Sequence, residues 1–234
     1  MRNLVLYTTA LAGCLAGQDL PKFGIGVKAS TLGLGVEAGT AVTSKSNVRV
    51  GFNDFRYSRD VTKDGIHYSG TLGLKSIEVL YDQYLIGGFH VSPGLLVYNG
   101  NHVDATAFVP GGSYFTLGGP SFISDRTNPV GGTGSLNVRK AAPMIMMGFG
   151  NLLPRSSRHF AVNLEFGVVF QGSPGAKLNL NGAACSPPPE SSCQSIGSSP
   201  TLQSLIQSEQ NKINDSLGPF KYYPVVSLGF GYKF

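Results

Sequence analysis

The stretch YYPVVSLGFGYKF places Val226, Leu228, Phe230 and Tyr232 at every second position, with Val225, Ser227, Gly229, Gly231 and Lys233 between them, and ends on Phe234. A period of two with one apolar and one small or polar face predicts a strand, because successive side chains of a strand point to opposite sides. HFAVNLEFGVVFQ repeats the pattern: Phe160, Val162, Leu164, Phe166, Val168 and Phe170 oppose Ala161, Asn163, Glu165, Gly167, Val169 and Gln171. This run is long enough for the roughly 9 to 11 residues with which a tilted strand crosses a bilayer. In SNVRVGFNDFRYSR the apolar face starts with Val48, Val50 and Phe52 and shifts to Phe55 and Tyr57. In IHYSGTLGLKSIEVLYDQY it passes from Leu72 and Leu74 to Ile77, Val79 and Tyr81, with Glu78 opposite. Both shifts read as one-residue phase slips, and predict β-bulges.

The connections sort into short ones, 43–47, 84–88 and 152–158, and long ones, near 59–66, about 99–137 and about 172–220. Their alternation predicts an all-β, up-and-down antiparallel transmembrane β-barrel over 22–234, with tight turns at one end and long loops at the other. Counting back from the last strand gives seven strands, the first at about 31–42, and single-chain barrels of this kind have even numbers. KFGIGVKAS, with Ile25, Val27 and Ala29 on one face, supplies the eighth, as a tight hairpin or as part of one long bulged strand. In the third long loop, Ser199-Pro200 marks a helix start and Gly218-Pro219 an end. Leu202, Leu205, Ile206, Ile213 and Leu217 then share a side of an amphipathic helix at about 200–217, which packs loop against loop, caps the barrel mouth or lies at the membrane interface.

Composition strengthens the membrane reading. Charged residues are 13% of the chain, against about 25% in ordinary soluble domains, while 41% of residues are hydrophobic and tryptophan is absent. The net charge of +5 comes from singly scattered Lys and Arg, without the basic runs and stacking aromatics of a nucleic-acid site, so nucleic acid is not an expected partner. Tyr57, Tyr68, Tyr81, Tyr84, Tyr98, Tyr222 and Tyr223 fall near predicted strand ends, as an interfacial girdle would. The beginning of the chain, through Leu4–Ala12 to about residue 16, reads as a signal peptide. Leu11-Ala12-Gly13-Cys14 also resembles a lipobox, which would make Cys14 a lipidated first residue; ordinary cleavage near Ala16-Gly17 is the favoured alternative. Cys185 and Cys193 bracket a Pro/Ser loop, and an even pair in an exported chain predicts a local disulfide.

The terminal pattern of Leu228, Phe230, Tyr232 and Phe234 resembles the signal by which bacterial machinery recognises outer-membrane barrels. The segments VKASTLGLGVEAG, NVRVGFN, SPGLLVYNGN and PVVSLGFGYKF are similar to a family of uncharacterised Gram-negative outer-membrane proteins, and more loosely to the small OmpA/OmpX-type barrels. The resemblance implies an outer-membrane location, contact with its lipids and lipopolysaccharide, and assembly by the barrel machinery, and it brings no cofactor or activity with it. The expected role is structural or surface-interacting without catalysis; a narrow channel or a conduit for apolar molecules is the alternative.

Candidate chemistry is sparse. Glu37, Arg49, Arg56, Lys75, Glu78 and Glu165 alternate against apolar faces and are expected to form an interior charge network, because a charge facing lipid near the midplane costs about 2–4 kcal/mol. Eight strands enclose a lumen that side chains can fill. His67 near Asp64 and Ser69, and His102 near Asp104, could furnish a rim dyad, yet neighbours in sequence do not make a catalytic constellation. Metal-ligand spacing is not seen.

Overall fold

The computed structural model describes residues 23–154, 158–188 and 192–234, so the predicted signal peptide and Cys14 lie outside the described residues. In chain order the strands are β1 (Phe23–Ser30), β2 (Gly33–Thr43), β3 (Ser46–Lys63), β4 (Ile66–Ile86), β5 (Phe89–Asn99), β6 (His102–Val109), β7 (Tyr114–Thr116), β8 (Ser121–Ser124), β9 (Val130–Asn137), β10 (Ala142–Gly150), β11 (Phe160–Val169), β12 (Gly175–Asn181), β13 (Ala183–Cys185), β14 (Cys193–Ser195) and β15 (Tyr223–Lys233). One helix, α1 (Pro200–Ser216), precedes β15.

Eight strands close into a ring in the order β1, β2, β3, β4, β5, β10, β11, β15 and back to β1, each antiparallel to its neighbours. Closure joins the first and last strands, from Gly24 against Lys233 to Ser30 against Ser227, and the Phe23 ring stacks on Phe234. The two ends of the ring are called here the near end, which holds Phe23 and Phe234, and the far end. KFGIGVKAS is a strand of its own: β1 meets β2 in a tight hairpin whose Gly33 has φ +118°, a conformation that suits glycine. This turn lies at the far end, so long and short connections do not alternate strictly.

The ring is inside-out. Ile25, Val27, Leu34, Val36, Val50, Phe52, Leu95, Ile145, Met147, Val162, Leu164, Phe166, Leu228 and Phe230 point outward and are exposed, while Lys28, Glu37, Arg49, Glu78, Asp82 and Glu165 point inward and are buried. This is the polarity of a transmembrane barrel, whose solvent on the outside is hydrocarbon. Near-end aromatic contacts, Phe160 with Tyr232 and Phe89 with Phe149, ring its base.

The strand lengths are unequal. β3 and β4 run far past the belt as one hairpin whose register holds without a break from Ser46–Gln83 to Lys63–Ile66, and the turn is the two residues Asp64-Gly65, both at positive φ. An Asp-Gly pair suits the tight twist of such a hairpin, so the long loop expected near 59–66 is a strand hairpin. The phase slip read from the sequence is absent from this pair. On the outward face Val48, Val50 and Phe52 give way to Asp54, Arg56, Ser58 and Asp60, and on β4 Tyr81, Val79 and Ile77 give way to Lys75, Thr71, Ser69 and His67. The strand keeps its phase while its surroundings change from apolar to aqueous, and the inward side gains Phe55, Tyr57 and Val61 beside Arg59 and Lys63. Register shifts fall elsewhere, near Thr43 on β2–β3 and on β4–β5.

Beyond the belt β6 pairs the upper part of β4, β9 pairs β6, and β12 pairs β9, extending the wall into an outer sheet. Its inward face packs Ile66, Val109 and Val130 against Leu117, Ala184, Ile196, Leu202 and Ile206 from α1 and the small sheet β14-β13-β8-β7. The stretches expected as loops at 99–137 and 172–220 are therefore a second packed unit. Ser199 caps α1 by accepting from Leu202 N, with Pro200 in the first turn. Gln210 and Asn214 of α1 accept the backbone N–H groups of Leu178 and Ala176, covering the open edge of β12. Cys185 and Cys193 are joined in a disulfide across β13 and β14. Tyr57 and Tyr68 belong to this outer sheet and not to an interfacial girdle.

Candidate functional site: the barrel interior

Alternation on the ring strands sends every second side chain into the lumen, and Arg49 of β3 is its hub. Its Nε donates to Asp82 Oδ2 at 2.7 Å and its Nη2 to Asp82 Oδ1 at 2.9 Å, a bidentate pair. Its Nη1 donates to Glu37 Oε2 at 3.0 Å and to Glu165 Oε2 at 3.3 Å, while Nη2 also reaches Glu165 Oε1. Glu165 Oε1 is within 2.9 Å of His90 Nε2, and His90 packs against the Tyr84 ring. Ser92 donates to Asp82 Oδ1 at 2.7 Å. Lys28 and Glu78 form a separate pair beside this group. The paired groups are almost wholly removed from water.

Apolar groups lie on either side of this ionic layer. Toward the far end Leu32, Leu80, Leu96, Ala142, Met144, Met146, Val169 and Val225 pack together. Toward the near end the turn after β10 folds inward: Leu152 and Leu153 are fully buried, Asn151 Oδ1 accepts from Asn47 Nδ2 at 2.9 Å, and Lys233 Nζ donates to Pro154 O at 2.7 Å. Glycines make this space. A Cβ at Gly231 would overlap Leu152 Cδ1, and one at Gly26 would meet the same atom at 2.9 Å. The lumen is filled in three layers, a leucine plug, an ionic layer and an apolar lid.

Of the residues expected in the interior network, the structure brings together Glu37, Arg49 and Glu165, and pairs Glu78 with Lys28. Arg56 and Lys75 are not among them. Both are on the outward face past Phe52, in the aqueous part of the hairpin, where Lys75 lies 4.0 Å from Asp54 and 6.0 Å from the Phe52 ring centroid. The assumed phase slip had turned Arg56 inward; the unbroken register turns it out. Lys28, Asp82, His90 and Ser92 are members that the sequence reading missed, although each alternates with outward residues: Asp82 lies between Tyr81 and Gln83, and His90 between Phe89 and Val91.

Asp82, His90 and Glu165 offer ligand atoms within 4.8 Å of one another, a grouping that could by distance hold a metal ion. The carboxylate oxygens already accept from Arg49, so a fixed guanidinium fills the place of a cation. The two rim histidines stay apart. His67 Nδ1 shares a 2.9 Å hydrogen bond with Thr62 Oγ1, and His102, six residue pairs away along β4–β6, lies 3.6 Å from Asp104. Leu228, Phe230, Tyr232 and Phe234 form the outward face of β15 and its end.

The fold and the filled lumen define a small eight-stranded up-and-down barrel of the transmembrane type, carrying a folded outer unit. Two solved structures share it nearly end to end. Acinetobacter baumannii CarO is 21% identical, with 90% of this chain and 97% of that chain covered and a TM-score of 0.55. Acinetobacter baumannii CarO2 is also 21% identical, with 93% and 100% covered and a TM-score of 0.58. These likenesses establish the fold, in keeping with the outer-membrane barrel resemblance of the sequence. No protein-family model matches the chain, and no curated protein does.

Proposed function

We propose that this is a sealed, non-catalytic barrel of a Gram-negative outer membrane whose role is structural or surface-interacting and is carried by the outer unit. The carrying observation is the three-layer filling of the lumen around Arg49, which leaves the far-end sheet and helix as the part free to meet other molecules. The outward apolar belt supports placement in a bilayer, and the likeness to CarO and CarO2 supports the same reading at the level of fold. In this reading the near end faces the periplasm and the far end the exterior, lipids and lipopolysaccharide surround the belt, and β15 ends on the address read by the assembly machinery.

Planar-bilayer recordings of the refolded protein test the seal: a flat baseline is expected, and stepwise conductance would overturn the sealed reading in favour of a narrow channel. Deleting Phe234 tests the address. Surface-assembled protein should fall, with unassembled chains in the periplasm, and normal assembly would remove the signal role from β15.

A further inference from the structure

The outward face of the outer sheet is the continuation, above the apolar belt, of the barrel's lipid-facing wall. The register lines up its side chains in rows across β3, β4, β6, β9 and β12: Ser58, Thr71, Asp104, Ser135 and Lys177 in one, and Asp60, Ser69, Thr106, Thr133 and Asn179 in the next. A third row holds Thr62, His67 and Phe108. Between the last two rows lies a hollow of about 320 Å³ bordered by Asp60, Thr62, His67, Ser69, Thr106 and Phe108.

Phe108 is anomalous on so polar a face. It is 47% exposed, and the His67 ring stacks beside it with centroids 6.4 Å apart and planes 16° from parallel. Thr62 holds that imidazole in place through its hydroxyl. Asp60 has no ion-pair partner among the described residues. An exposed aromatic platform ringed by hydroxyls and a free carboxylate matches one kind of ligand: a pyranose, with a C–H face to lie on the ring and hydroxyls to bond at its edge.

We propose that this hollow binds the sugar chain of a glycolipid anchored in the same leaflet, a proposal that rests on the membrane reading above. Height and charge select this source. From Phe52, the last outward apolar residue of β3, to Asp60 is about 25 Å along the strand, or about 20 Å above the belt for a strand tilted by roughly 40°. A face at that height, turned sideways over the bilayer, meets chains rising from neighbouring lipids. Low on the face, just above Phe52, Arg56 and Lys75 outnumber Asp54 and leave a net positive charge where an anionic headgroup would lie, while Asp104 and Lys177 offset each other in the row below the hollow. The rows around the hollow are hydroxyl- and amide-rich, which suits neutral sugars.

The test uses the full chain folded in detergent micelles and, as probe, the oligosaccharide released from lipopolysaccharide by mild acid, with lipid A alone as comparison. Saturation-transfer NMR should show the oligosaccharide bound by the parent protein. Phe108→Ala should weaken binding by about tenfold, the size of one lost ring contact; Asp60→Asn should weaken it less, and Arg59→Ala, on the opposite face, not at all. No transfer to the oligosaccharide, equal binding by Phe108→Ala and the parent, or binding of lipid A only would each overturn the proposal. The unboiled gel mobility of each variant reports folding, since a closed barrel migrates faster before boiling. A parent protein that shows no such shift and fractionates as soluble fails the membrane reading itself, whereas a folded barrel that ignores the sugar fails this site alone.

Discussion

The hairpin of β3 and β4 passes through two regions of opposite polarity without changing its geometry. Below Phe52 its outward side chains are apolar and its inward ones, Arg49, Glu78 and Asp82, are ionic; above, its outward side chains are polar and its inward ones largely apolar, with Ile66 entering the core beside Val109 while Phe55, Tyr57, Val61 and Tyr68 stay exposed. A strand that serves both regions shows that in such proteins the meaning of "inside" is set by the solvent and not by the backbone. The barrel buries charge because lipid will not take it, and the outer unit buries leucine because water will not.

The hairpin is most vulnerable at its ionic end. Arg49→Ala leaves Asp82, Glu165 and Glu37 facing one another without their shared cation, and removing one partner of a buried ion pair costs about 3–5 kcal/mol. A large fall in the urea midpoint of the refolded barrel is expected; an unchanged midpoint would mean that the layer contributes nothing to the closed state. Next comes Val50→Arg, which places a charge in the middle of the belt and should cost about 2–4 kcal/mol in lipid vesicles. Arg56→Ala, on the same outward face a few residues further up, is expected to change stability by less than about 0.5 kcal/mol. That contrast locates the boundary between the regions, and equal effects at the two positions would erase it.

Smaller still is Ser199→Ala, which removes the cap of α1 and should destabilise the helix by about 1 kcal/mol. Faster hydrogen exchange confined to α1 and the edge of β12, with the ring amides as protected as before, would show the outer unit opening separately from the barrel. Uniform acceleration over the whole chain would show one cooperative body instead.

The barrel was legible in the sequence where one rule held along a whole strand. β11 and β15 alternate without interruption, and so both their outward faces and the inward Glu165 could be read. β3 was misread because its polarity inverts above Phe52, and an inversion of solvent looks in the sequence like a slip of phase; Arg56 and Lys75 were assigned to the lumen on that account. His90 and Asp82 carried the same alternation signal as Glu165, but over shorter stretches, between Phe89 and Val91 and between Tyr81 and Gln83. The strands β6 to β9 and β12 to β14 were hidden by shortness and glycine: VGGTGSLN has too few large side chains to show a period, and its pairing depends on β6 and β12, far away in the chain. The helix α1 was visible through its cap and its proline, which act locally.

The reach of Arg49 also bears on how the chain gets built. Glu37 and Asp82 come from the strands flanking β3, so those contacts can form in a nascent sheet, but Glu165 is on β11, across the ring. Until β15 docks between β11 and β1, that carboxylate and its guanidinium remain on separate parts of an open sheet, Arg49 already paired with Glu37 and Asp82 and Glu165 without it. The closing strand is thus also the one whose arrival completes the ring in which Glu165 meets Arg49.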